Sequence, residues 1–142
     1  MAGIEIRDLS GTSPATASTA AGAVIANGLD QFDWFTVDAV LTGATGGALD
    51  VYLQRDVNGT WVDWLHFTQL AAGAAAVRTT IDSQSIENGP IAVGSGTSPI
   101  LTAGKFSCMH PGEKVRVLYV AGASTSAGAT QTIIITGWKR RI

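Results

Sequence analysis

The chain has 142 residues, sets 9 Lys and Arg against 11 Asp and Glu for a formal charge of -2, and is 46% hydrophobic but only 14% charged. That length suits one domain whose core buries about two thirds of the unfolded surface, so stability need not be borrowed from disulfides or metal. The near-balanced charge excludes the broad basic field that sequence-independent nucleic-acid binding requires, and the single cysteine, Cys108, excludes an internal disulfide.

The charged fraction is about half that of an average globular protein, and Ala, Gly, Ser and Thr are abundant, which predicts a small, weakly polar surface of the kind that neighbours cover. The opening MAGIEIRDLS carries acidic residues where a signal peptide has a basic flank and an apolar stretch. No apolar run reaches the roughly 20 residues of a membrane span, so the expectation is synthesis in the cytoplasm without a membrane partner.

Residues 1–31 read as an extended N-terminal arm. Ile4-Glu5-Ile6-Arg7 alternates, and Ile4, Ile6 and Leu9 are its candidate apolar contacts; residues 10–26 are nearly all Ala, Ser, Thr and Gly and offer no apolar face. The alternative is a leader without a role. Residues 32–142 are expected to form the folded domain. Phe35, Val37, Ala39 and Leu41 alternate with polar neighbours as a half-buried strand, and Leu49, Val51 and Leu53 repeat the pattern. Asn58-Gly59 between this strand and residues 60–67 predicts a tight hairpin.

In that next strand Trp61, Asp63, Leu65 and Phe67 are expected on one face and Val62, Trp64 and His66 on the other, so both faces must be covered. Residues 71–76 are too short and too interrupted for a helix. Val77, Thr79 and Ile81 suggest a strand, residues 83–98 a long loop with at most a short strand at 91–93, and residues 100–106 an edge strand. Val115, Val117 and Tyr119 alternate in a further strand, and Ile133-Ile134-Ile135 reads as a central one, with a flexible loop over 121–130. Seven or eight short strands without a normal helix predict an all-β antiparallel β-sandwich or jelly roll.

Chemistry-bearing residues are few. His66, Cys108 and His110 supply three ligand types but no closely spaced pair, fewer than a structural zinc site uses. No third group orients a Cys-His nucleophile, and His110 is expected to face solvent beside a turn. Asp50 and Asp63 are within reach across the hairpin, yet a polar strand face accounts for them. The motifs of serine hydrolases, nucleotide-binding loops and zinc proteases are missing, so neither catalysis nor a cofactor is expected. Trp34, Trp61, Trp64, Phe67 and Trp138 are candidate core or subunit-packing aromatics; tryptophans that stack on sugars are the competing reading. Lys139-Arg140-Arg141 reads as a solvated or subunit-pairing end.

Phe35-Thr36-Val37-Asp38-Ala39-Val40-Leu41, Ala44-Thr45-Gly46-Gly47-Ala48-Leu49-Asp50-Val51-Tyr52-Leu53-Gln54 and Asn58-Gly59-Thr60-Trp61-Val62-Asp63-Trp64-Leu65-His66-Phe67 together resemble small virion proteins of tailed bacteriophages. In those, a TGGTLDVYLQ-like strand precedes a DGTTWYDVAHF-like strand; here Ala48 and Val62 replace the usual Thr and Tyr. The resemblance covers about a quarter of the chain. It implies a capsid decoration (cement) protein of jelly-roll or related fold on the outside of the virion. The implied partners are the major capsid protein and further copies of itself, as a homo-oligomer and most often a homotrimer. It brings no catalytic residues. Another virion part, from tail, neck or fibre, and a carbohydrate-binding module remain as alternatives.

Overall fold

Phe35, Val37 and Ala39 turn to one side of their strand and are buried, while Trp34, Thr36, Asp38 and Val40 between them are only half-buried. The same period of two puts Ile133 and Ile135, Val51 and Leu53, and Val115, Val117 and Tyr119 into one hydrophobic cluster. The computed structural model in which they meet describes residues 3–12, 19–25, 29–42, 49–68, 77–85, 91–108, 110–121 and 130–139. Its strands are β1 (Gly3–Thr12), β2 (Thr19–Ile25), β3 (Trp34–Thr42), β4 (Leu49–Val57), β5 (Thr60–His66), β6 (Val77–Asp82), β7 (Lys105–Phe106), β8 (Val115–Ala121) and β9 (Thr130–Trp138).

One sheet has the order β1-β9-β3-β6 and the other β2-β8-β4-β5-β7, with every pairing antiparallel. The core lies between them, as in a β-sandwich, because its members come from both sheets. Four pairings are nested: β4 with β5, β3 with β6, β2 with β8, and β1 with β9. The chain is thus one long antiparallel ribbon, doubled back at the Asn58-Gly59 turn and wound around the core. Asn58 and Gly59 have φ of 51° and 84°, the left-handed pair that a tight hairpin needs, and the Gly59 amide donates to the Asp56 carboxylate at 2.8 Å.

The N-terminal residues depart from expectation. They are extended, but β1 pairs with β9 from Gly3 to Thr12 and β2 pairs with β8 from Thr19 to Ile25, so both belong to the sandwich as edge strands. A segment that offers no apolar face of its own can still be an edge strand, because β2 is held by main-chain hydrogen bonds to β8 lying beside it. Ile4 lies opposite Gly137, Leu9 opposite Ile133, and Ile6 at a register shift between Glu5 and Arg7; the placement of these three side chains lies outside the described residues.

Three smaller expectations change. Of the edge strand anticipated over 100–106, only Lys105–Phe106 forms, paired with Leu65 and His66. Residues 91–93 are not a strand; instead Ser95 bridges to Val62 and to Ser98. Strict alternation in β5 fails because the register against β4 shifts between Leu53 and Gln54, leaving Trp64 as an extra residue between Asp63 and Leu65. Trp64 and Leu65 therefore both join the core, while Asp63 and His66 share the outer side with Gln54 and Tyr52. The expectations for residues 71–76 and for Arg140 and Arg141 fall outside the described residues, as does most of the loop over 121–130.

Candidate functional site

The outer side of β4 and β5 is where the polar side chains collect, and a strap of residues 91–104 covers it. The strap lies along the free edge of β5: the Asp63 amide donates to Gly94 O, the Gly96 amide to Trp61 O, and the Gly104 amide to His66 O. It then lays Leu101 over Tyr52 and Leu118, a second hydrophobic cluster flanked by Ile91 and Val120. An edge that would otherwise present unpaired N–H and C=O groups is closed by the chain itself.

Asp63 holds the strap down. Its side chain is fully buried, and Oδ2 accepts hydrogen bonds from the backbone amides of Gly94, Ile100 and Leu101 at 2.8, 2.8 and 3.0 Å. Oδ1 accepts from Gln54 Nε2 at 3.0 Å, and Gln54 Oε1 accepts from Arg116 Nε and Nη2 at 3.0 and 2.8 Å. Arg116 Nη2 also donates to Gly96 O, and its guanidinium lies 5.0 Å from the centre of the Trp61 ring. Burial lowers the Arg116 pKa from its ordinary value. A charge placed in the interior is tolerated only when donors surround it, and here the strap's main chain supplies three of them. Gly94 is required by space: a Cβ there would come within 2.1 Å of Ser98 O.

Next to this clamp, His66 lies with its ring stacked on Tyr52 at 3.9 Å between centres. Its Nδ1 is 2.6 Å from Leu101 O and its Nε2 is 3.0 Å from Asp50 Oδ1. Both oxygens act as acceptors, so making both bonds takes a doubly protonated ring, and a neutral ring makes one. The Tyr52 phenol is pushed up from 10.0 to about 12, first by burial and then by the Asp50 and Asp63 carboxylates. A phenol whose proton is held more tightly in the folded chain contributes stability that is complete below pH 10.0 and is lost as pH rises through about 12. Denaturation of the wild type is therefore expected to become easier across that window, with Tyr52→Phe showing a shallower fall; identical pH profiles would refute it.

The remaining ligand-type residues are used elsewhere. His110 accepts from the Gly112 amide at Nδ1 and donates from Nε2 to Phe32 O at 2.8 Å, the pattern of the tautomer that carries its proton on Nε2. It packs edge-on against Phe35 and is half-buried, so the expectation of a solvent-facing histidine is corrected. Cys108 donates to His110 O at 3.2 Å, and its own carbonyl accepts from Trp64 Nε1 at 2.9 Å. His66 is engaged with different partners, and among the described residues no three His, Cys, Asp or Glu side chains are grouped to hold a metal ion. Asp50 shares a hydrogen bond with His66 Nε2, whereas Asp63 accepts from the amides of the strap.

The aromatic candidates divide by location. Trp64 and Phe67 are fully buried in the main core, while Trp61 is half-buried under Arg116. Trp34 and Trp138 face each other across β3 and β9 and stack at 4.9 Å with planes 7° apart on the outer side of the first sheet. Trp138 Nε1 donates to Thr36 Oγ1, whereas Trp34 Nε1 is buried without a partner. Sequence reasoning missed the Asp63 clamp; its one signal was an acidic residue set among Trp61, Trp64 and Leu65 in an apolar strand. No helix among the described residues is long and apolar enough to cross a membrane. No protein-family model, curated protein or solved structure matches the chain.

Proposed function

We propose that the chain is a structural virion protein of a tailed bacteriophage. In this reading it is a jelly-roll decoration subunit that binds the outside of the capsid as a homo-oligomer, most simply a homotrimer, and has no catalytic role. The observation that supports this reading most is the strand order, β1-β9-β3-β6 in one sheet and β2-β8-β4-β5-β7 in the other with four nested antiparallel pairs, which suits the double-sheet jelly rolls found among viral shell proteins once the two-residue β7 is set aside as an addition. The low charge fraction and the resemblance of residues 35–67 to phage virion proteins support it. Cement of this kind acts by burying surface across joints between shell subunits, so expansion or internal pressure has to break those contacts too, and many copies make weak contacts effective.

A second reading, a carbohydrate-binding sandwich, is favoured by the Trp34–Trp138 stack beside Thr36, since a sugar ring packs on such an aromatic surface. One experiment separates the two. Purified protein is added to cognate shells that lack it and imaged by negative-stain microscopy. Saturable decoration of the head and a higher temperature of shell disruption are expected. Labelling of tails would move the protein to another virion part. Failure to bind particles, together with glycan binding that Trp34→Ala abolishes, would replace the reading with the second.

A further inference from the structure

We propose that Asn58 is a site of spontaneous deamidation and that the Asp56 carboxylate is a built-in guard that holds the reaction back while the turn is folded. Asn27, Asn58 and Asn88 are the asparagines of the chain, and each is followed by glycine, whose missing side chain leaves its amide nitrogen the freest path to the asparagine side chain. At the hairpin that pairing is required, because both residues have positive φ. Asn58 and Gly59 are also exposed, so solvent base and water reach them. The turn carries a chemical liability in the residues that form it.

The reaction draws base and water from the solvent. Hydroxide takes the Gly59 amide proton, and the nitrogen's electron pair forms a bond to Asn58 Cγ, closing a cyclic imide. The Cγ–Nδ2 bond breaks, and the leaving nitrogen takes a proton from water and departs as ammonia, which regenerates the hydroxide. Water then opens the imide. Breaking its N–Cγ bond leaves aspartate, whereas breaking the bond between the nitrogen and the Asn58 main-chain carbonyl leaves isoaspartate, with the main chain rerouted through the side-chain carbons. Isoaspartate lengthens the connection between Val57 and Thr60, which pair directly across the turn. Either product adds a negative charge close to Asp56.

Asp56 opposes the first step in two ways. The Gly59 N–H donates to Asp56 Oδ1 at 2.8 Å. After proton loss the nitrogen's electron pair lies along the former N–H direction, so in the folded turn it faces a carboxylate oxygen rather than Asn58 Cγ. Attack has to wait until the peptide unit turns away from Asp56. The same carboxylate is an anion in contact with a nitrogen that must itself become anionic, and like charges at that distance disfavour the step. Pairing of Asp56 with Trp61 and of Val57 with Thr60 keeps carboxylate and amide in register.

Deamidation of the full chain is followed by peptide mass spectrometry in mildly alkaline buffer, folded and in concentrated urea, for the wild type, Asp56→Asn and Asp56→Ala. Asp56→Asn keeps an acceptor without the charge, and Asp56→Ala removes both. Fragment spectra assign each product to its position. In urea, Asn27 and Asn88, which lie outside the described residues, give the rate of the same dipeptide in an unfolded chain. Asn58 of the folded wild type is expected to react about tenfold or more slowly than in urea, because reaction waits on local opening. Folded Asp56→Asn is expected to react about fivefold faster than the folded wild type, the effect of one charge at contact in water-like surroundings, with Asp56→Ala faster still. Urea unfolding curves identify which variants are folded, and rates are compared among folded proteins. Base-catalysed hydrogen exchange of the Gly59 amide in the wild type reads the same proton loss without any substitution, and it is expected to be slower than in the unfolded chain. An unprotected Gly59 amide, or equal rates at Asn58 in the folded and unfolded wild type, would overturn the inference. Folded Asp56 variants that react no faster than the wild type would remove Asp56 as the guard, and slower ones would make it an assisting base; both outcomes refute the proposal. Absence of product at Asn58 in urea would remove the site itself.

Discussion

Asp63→Ala is expected to destabilise the fold by about 3 to 5 kcal/mol, the largest effect of any single polar substitution in the second sheet. The substitution leaves the amides of Gly94, Ile100 and Leu101 and the Gln54 side chain without their acceptor, all but the part-buried Ile100 amide in a buried setting. Each orphaned donor carries a desolvation cost of about 1 to 3 kcal/mol, reduced where the strap can lift and let water in. Lifting the strap has its own cost, because Leu101 then leaves its cluster with Tyr52 and Leu118. Asp63→Asn should lose less, since one oxygen remains to accept while the new NH2 meets donors. Urea denaturation of the three proteins checks the order. A loss below about 1 kcal/mol for Asp63→Ala would mean that the strap is held by apolar contacts alone.

Deletion of residues 2–25 should have the second large effect, and its sign follows from the topology. If these residues were an arm lying outside the fold, their loss would leave the sandwich intact. In the structure they are the outer strands of both sheets, paired with β9 along Gly3–Thr12 and with β8 along Thr19–Ile25. Their removal opens one edge of each sheet at once, next to the apolar run Ile133-Ile134-Ile135. Unpaired edges beside apolar strands are templates for aggregation. The truncated chain is expected to lose cooperative unfolding or to elute as high-mass species in size-exclusion chromatography. A soluble truncation with an unchanged melting temperature would instead return residues 2–25 to the status of an arm.

Much of the architecture was legible because it depends on side-chain period. Phe35, Val37 and Ala39, then Val51 and Leu53, and Val115, Val117 and Tyr119 all reach the main core from the faces that alternation assigned. Asn58-Gly59 marked its turn because few other residue pairs tolerate those φ angles. β2 was not legible: Thr-Ala-Ala-Gly-Ala-Val-Ile is a strand because β8 offers it an edge, and that information lies nearly a hundred residues further along the chain. The shift at Trp64 was hidden for a related reason, since a single extra residue reverses the facing of its neighbours without altering composition. The site was the least legible part. Asp63 reads as an ordinary polar strand residue until residues 94–101 fold back over it, and its partners there are main-chain amides, which carry no side-chain signature.

The nested ribbon also sets an order of assembly in time. Only the β4–β5 pair closes across a two-residue turn; each later pair, β3 with β6, β2 with β8 and β1 with β9, joins segments progressively further apart along the chain. Loop-closure entropy therefore delays the outer pairs, and a chain dominated by such distant contacts folds slowly. By that argument the hairpin at Asn58-Gly59 is favoured as the nucleus and the pairing of β1 with β9 is favoured last. Until that event β9, with its run Ile133-Ile134-Ile135, is the open edge of the first sheet. The composition of β2 fits this interval: Thr-Ala-Ala-Gly-Ala-Val-Ile is poor in large apolar side chains, so a strand that joins late offers neighbours little sticky surface while it waits.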